Sequence, residues 1–134
     1  DVTGDGVTDI ALSECCGTAA GYSSLGRVAV FSADGFRGSI EDADALITGP
    51  WEGAYIGGEL DPVGDQDGDG VADLLVSGTG GLAAAVVSGN RSGALDDVAI
   101  ALIYGDVSAG YSDARNVGDL DGDGSDDVAI LGAN

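Results

Sequence analysis

DQDGDGVAD, residues 65–73, sets four aspartates in nine positions, with a glycine after Asp67 and another after Asp69. Two carboxylates ~4 Å apart repel by about 4 kcal/mol at an effective dielectric of ~20. A chain that folds such a stretch must place positive charge among the carboxylates; otherwise the stretch stays unfolded. The remainder of the sequence selects the first alternative.

The stretch recurs. DVTGDGVTDIALS (1–13), DQDGDGVADLLVS (65–77) and DLDGDGSDDVAIL (119–131) align without a gap. Self-similarity of this kind marks a repeat architecture. Matches continue in register: each acidic loop runs into a short apolar segment (Ile10–Leu12, Leu74–Val76, Val128–Ile130). A second segment follows, GRVAVFSA (26–33) or LAAAVVSG (82–89), then a third, DALITG (44–49) or DVAIALIYG (97–105). GGELDPVGD (57–65) and YSDARNVGD (111–119) then lead into the next loop.

Short runs rich in Val, Ile and Ala, bounded by Gly, Asp-Gly and Ser-Gly, have the composition of strands and turns. Helical spacing can be imposed on residues 94–104, but the glycines and the repeat register favour a strand. The expected fold is therefore all-β. It is built of four-stranded antiparallel blade-like repeats, with the acidic loop joining the first strand of each to the second. One repeat domain spans 1–134, with modules at approximately 1–56, 57–110 and 111–134, the first and last partial. Pro62 falls in a first strand, which places that strand at a sheet edge, where a missing N–H is tolerated.

Length and composition agree with one folded domain: 134 residues, 44% of them apolar. The net charge of −20 rests on 24 acidic residues against Arg27, Arg37, Arg91 and Arg115, with no Lys and no His. Nothing here can neutralise a phosphate backbone, so nucleic acid is not an expected partner. Cations are. No apolar run approaches the ~20 residues of a membrane-spanning helix, no signal peptide is visible, and the sequence contains no Met. A processed chain or a segment of a longer one is the expectation, and abundant Asp without Lys also suits a high-salt organism.

Within each loop, positions 1, 3 and 5 carry oxygen side chains and position 9 is always Asp. These are Asp1, Thr3, Asp5 and Asp9; Asp65, Asp67, Asp69 and Asp73; and Asp119, Asp121, Asp123 and Asp127. Position 6 is always glycine, at a sharp turn, and position 7 (Val7, Val71, Ser125) can offer its carbonyl. Six or seven oxygens on a flexible loop suit a hard cation, Ca²⁺ better than the stricter Mg²⁺. Without His or Cys in the loops, zinc and copper are disfavoured. The loop is not an EF-hand, because position 12 is Leu12, Val76 or Ile130 where that motif needs a bidentate Glu. Up to three Ca²⁺ per chain are expected, and loop 1 is the weakest, since Thr3 replaces a carboxylate. Folding is expected to depend on millimolar Ca²⁺, an extracellular condition.

The modules resemble FG-GAP repeats, the units of the β-propeller of integrin α-subunit heads and of many secreted bacterial proteins. The three acidic loops carry the specific part of the likeness. AYIGG (54–58) and AGYSD (109–113) stand at the Phe-Gly element with Tyr for Phe, and LGAN (131–134) stands at the Gly-Ala-Pro element with Asn for Pro. SGTG (77–80) is looser and SECC (13–16) departs furthest. The resemblance implies four-stranded blades with calcium between the first two strands. About two and a third blades are present, whereas closed propellers have about four to eight. A slice of a larger propeller, copies that complete one another, and an open filament all remain possible, and self-association is expected.

Three further features stand outside the loops. Cys15 and Cys16 are adjacent; they can close a strained ring, pair with other chains, or remain thiols. Asn90 opens an N-R-S glycosylation sequon in a turn. Trp51 and Tyr55 flank a glycine-rich stretch and could stack on a sugar or pack between modules. No nucleophile stands beside a plausible base, and Asp96-Asp97 lacks any sign of the cleft that glycosidase chemistry requires. An enzyme is not expected. The sequence points to an extracellular or cell-surface structural or adhesive protein that self-assembles, or alternatively to a glycan- or protein-binding segment of a larger secreted propeller.

Overall fold

A computed structural model describes residues 1–16, 24–34, 38–79, 81–105 and 112–132. Ten strands are found among them: β1 (Asp9–Glu14), β2 (Arg27–Ser32), β3 (Ala45–Thr48), β4 (Leu60–Val63), β5 (Asp73–Ser77), β6 (Leu82–Ser88), β7 (Gly93–Ala94), β8 (Ala99–Tyr104), β9 (Ser112–Gly118) and β10 (Asp127–Gly132). The one α-helix among the described residues is a single turn, α1 (Leu95–Val98), and a 3₁₀ turn covers Ile40–Asp42. The chain is all-β. No helix among the described residues is long and apolar enough to cross a membrane.

The strands form three open sheets, with orders β1-β2-β3-β7, β4-β5-β6-β8 and β9-β10. All pairings are antiparallel except β3 with β7. The sheets lie in three layers, and the middle one is covered on both faces. Val28 and Val30 of β2 and Ala45 and Ile47 of β3 meet Leu74 and Val76 of β5 and Leu82, Ala85 and Val87 of β6. On the opposite face Val63, Leu75, Ala84 and Val86 meet Ala114 of β9, with Val128 of β10 against them. Leu74 and Val76 thus face one neighbour and Leu75 the other, as the two-residue period of a strand requires. LAAAVV lacks clean alternation for the same reason: every residue of β6 is buried.

Pro62 lies in β4, an edge strand of the middle sheet. One expectation is corrected. The run 97–105 is not one strand, because residues 95–98 form α1 before β8 begins at Ala99. Leu95 and Val98, three apart, both turn into the core while Asp96 and Asp97 stay in solvent, so one helical turn satisfies all four. The first sheet belongs to the module expected to be partial, and the second module adds a strand to it. Its fourth strand is β7, which pairs in parallel at Ile47–Gly93 and Thr48–Ala94 after the chain has left β6. Ser92 Oγ accepts the Leu46 N–H at 3.0 Å beside it.

Candidate metal centres

The three acidic loops fold alike, and the position-1 aspartate builds each of them. Asp1 Oδ1 accepts the N–H groups of Gly4 and Asp5 at 2.6 and 3.1 Å, and its Oδ2 accepts that of Gly6 at 2.7 Å. Asp65 does the same for Gly68, Asp69 and Gly70 at 2.7, 3.0 and 2.7 Å. Asp119 repeats it for Gly122, Asp123 and Gly124 at 2.6, 3.1 and 3.0 Å. Such a wrap needs left-handed backbone at position 6, where Gly6, Gly70 and Gly124 have φ of 84°, 90° and 98°. Position 4 is likewise glycine and left-handed in all three loops, a requirement the ligand pattern alone does not reveal.

The position-9 aspartate closes each loop at the start of the next strand. Asp73 Oδ2 accepts the Gln66 N–H and Asp127 Oδ2 the Leu120 N–H, both at 2.8 Å. In loop 1, Asp9 Oδ2 accepts two, from Val2 at 2.7 Å and Thr3 at 2.8 Å. The position-5 carboxylates turn inward on their own loop, where Asp5, Asp69 and Asp123 accept the N–H of position 7 at 2.8, 2.9 and 2.8 Å. Val7, Val71 and Ser125 therefore enter these contacts as N–H donors.

Two carboxylate triads result. Asp65, Asp67 and Asp73 each bring an oxygen within 4.8 Å of the others, and so do Asp119, Asp121 and Asp127. Among the described residues no third triad forms: in loop 1 position 3 is Thr3, whose Oγ1 donates to Asp9 Oδ1 at 3.3 Å. Asp73 has no exposed surface, and its Oδ1 is buried without a hydrogen bond. Burial pushes its carboxyl above the usual carboxylate range; the Gln66 N–H opposes this, and the charges of Asp67, Asp69 and Asp65 add to the rise. A bare, buried carboxylate oxygen beside two more carboxylates fits a hard cation, since only oxygen donors converge there.

Loops 2 and 3 also touch. Asp126 Oδ2 accepts the Gly64 N–H at 3.1 Å and the Asn116 amide at 2.8 Å, which together hold its carboxyl below the usual range, the Asn116 bond most strongly. Gln66 Nε2 donates to the Asp126 carbonyl at 3.1 Å. Neither Gln66 nor Asp126 stands at a position that the ligand pattern singles out.

The other candidates are dispersed. Cys15 and Cys16 are exposed free thiols in the turn after β1, with sulfurs 3.2 Å apart, and their contact pushes the Cys16 thiol up. Asn90 is exposed, its Oδ1 3.0 Å from Ser88 Oγ. Trp51 packs against the main core and stacks on Tyr104, with centroids 6.3 Å apart and planes at 22°; Tyr55 does not share that stack. Of the quoted family elements, Ala54 and Ile56 are fully buried, while residues 109–111 of AGYSD, Gly80, and the last two residues of LGAN lie outside the described residues, as does Arg37. No family model, curated protein or solved structure matches the chain.

Proposed function

We propose that this chain is an extracellular or cell-surface, calcium-stabilised structural or adhesive protein of FG-GAP-like repeats. The observation that carries the calcium reading is the buried, unpartnered Oδ1 of Asp73 within a convergent carboxylate triad. Asp65, Asp67 and Asp73 would hold one ion, and Asp119, Asp121 and Asp127 a second. A bound cation supplies the positive charge that lets these carboxylates converge without mutual repulsion. The three face-to-face layers support a blade-like arrangement, since propeller blades also pack by their faces. Self-association draws support from apolar side chains left in solvent on the outer layers, among them Leu12 and Leu131, 46% and 69% exposed.

Thermal unfolding in millimolar Ca²⁺ and in excess chelator tests the proposal. Two sites filled at a hundredfold excess over Kd add about 5 kcal/mol, so a midpoint higher by about 10 °C or more in Ca²⁺ is expected. Equal midpoints would sink it. Light scattering under both conditions reads self-association, with larger species expected in Ca²⁺.

One observation favours a second reading, a glycan- or protein-binding role: the Trp51–Tyr104 stack leaves Tyr104 60% exposed. A glycan-array signal lost in Trp51→Ala would favour it over the structural role.

A further inference from the structure

We propose that Asp126 and Gln66 couple the metal sites of loops 2 and 3, so that filling either site tightens the other. This rests on the calcium reading above and adds a regulation that the loops do not possess singly. The coupling is physical and short. Asp126 immediately precedes Asp127, the position-9 member of the loop 3 triad. Its side chain holds the N–H of Gly64, the residue before Asp65, at 3.1 Å. Its carbonyl holds the side chain of Gln66, the residue after Asp65, at 3.1 Å. Both neighbours of the aspartate that builds loop 2 are therefore tied to one residue of loop 3. Gln66 reaches further, because its own N–H is bonded to Asp73 Oδ2 at 2.8 Å.

The clasp is braced from a third side. Asn116 of β9 donates its side-chain amide to Asp126 Oδ2 and to the Pro62 carbonyl, each at 2.8 Å, and its N–H to Asp61 Oδ2 at 3.2 Å. Asp126 cannot shift without disturbing β4 as well as loop 2. Oxygens within 4.8 Å of one another can share an ion whose bonds are about 2.3–2.6 Å long. An ion that holds Asp127 in place also holds Asp126 in the position that fixes Gly64 and Gln66, and the converse holds for Asp65 and Asp73. Loops 1 and 2 lack the equivalent clasp: Val2 and Ala72, at the positions of Gln66 and Asp126, are apolar and belong to the main core.

Position-6 glycine amides provide a site-resolved probe, since Gly6, Gly70 and Gly124 each sit in one loop. Their resonances are followed by NMR during titration with Ca²⁺ alone. Asp121→Asn, which weakens loop 3, is expected to raise the loop 2 Kd by about 5-fold or more, and Asp67→Asn to raise the loop 3 Kd by the same factor, because coupling is reciprocal. Repeating both in a Gln66→Leu background should bring that factor close to one. Asp126→Ala serves as the second cut. Charge acting through space would persist in the cut backgrounds, so a factor that survives there overturns the proposal, as does an uncoupled wild type. Glycine amides that ignore Ca²⁺ altogether would refute the calcium reading itself, and the coupling with it.

Discussion

Loop 1 and loop 2 share a backbone but solve opposite problems. In loop 1 the Thr3 hydroxyl donates to Asp9 Oδ1, and two N–H groups donate to Asp9 Oδ2, so both oxygens of the closing aspartate are satisfied from within. In loop 2 position 3 is Asp67, which can donate nothing, and Asp73 Oδ1 is buried bare. One hydroxyl thus separates a loop that completes itself from a loop that leaves a buried carboxylate oxygen bare, where a cation could sit. The repeat supplies the wrap around the position-1 aspartate in both cases; the residue at position 3 sets whether the closing aspartate finds a donor there.

The largest expected effect inverts between the two loops. Asp73→Asn removes a buried charge and keeps the shape, so in chelator it should raise stability by about 1 kcal/mol or more. In saturating Ca²⁺ it should lower stability by about 3 kcal/mol, through loss of the ion. Asp9→Ala breaks three internal hydrogen bonds and should cost about 2–3 kcal/mol with or without Ca²⁺. Urea unfolding under both conditions reads all four values, and a loop 1 effect that tracks Ca²⁺ would erase the distinction. Thr3→Asp should then convert loop 1 into a copy of loop 2. It is expected to cost about 1–2 kcal/mol in chelator and to add one Ca²⁺ to the stoichiometry measured by calorimetry.

How much of this contrast the sequence revealed depends on the level. Position 3 could be read directly: Thr3 against Asp67 and Asp121 marked loop 1 as the weakest ligand set, and the recurring Gly-Asp spacing located every loop. The all-β fold followed from short Val- and Ala-rich runs. What stayed hidden was relational. The parallel pairing of β7 with β3 joins residues 46 apart along the chain (Ile47 with Gly93), through a Gly-Ala dipeptide with no strand signature of its own. The turn α1 hides in a run whose Leu95 and Val98 fit a strand as well as a helix until the packing is known. Gln66 and Asp126 escaped because aligning the loops hides them. Position 2 reads Val, Gln, Leu and position 8 reads Thr, Ala, Asp, so neither column looks like a site.

Acidity should separate metal-free from metal-bound protein next. Burial raises the Asp73 carboxyl in the folded state, so that state holds the proton more tightly than the unfolded chain does. Stability in chelator should therefore rise as pH falls from 7 toward the ordinary carboxylate value of ~3.9, and the gain should flatten in Asp73→Asn. Glu59, held low by Arg115, and Asp126, held low by Asn116, keep their contributions until pH falls through their depressed folded values. In Ca²⁺ the slope should reverse, because protons displace the ion. Midpoints that fall with pH in chelator would contradict the placement of a bare carboxylate at Asp73.

The smallest effect concerns Arg91, whose guanidinium is the one that reaches a triad among the described residues. Arg91 Nη2 lies 3.5 Å from Asp67 Oδ2, with half of its side chain in solvent. An exposed pair of this kind contributes at most about 1 kcal/mol. It nonetheless places positive charge on the carboxylate that a cation would claim, and among the described ion pairs none joins an arginine to Asp119, Asp121 or Asp127. Arg91 should thus act as a weak internal competitor at loop 2 alone. Arg91→Gln is expected to tighten Ca²⁺ there by up to about 5-fold at low salt, less at high salt as screening removes the difference. Loop 3 read at Gly124 should move by no more than the coupling transmits, and by nothing in the Gln66→Leu background. If Arg91→Gln instead weakens loop 2, the arginine supports the filled site, and loop 2 differs from loop 1 by more than the residue at position 3.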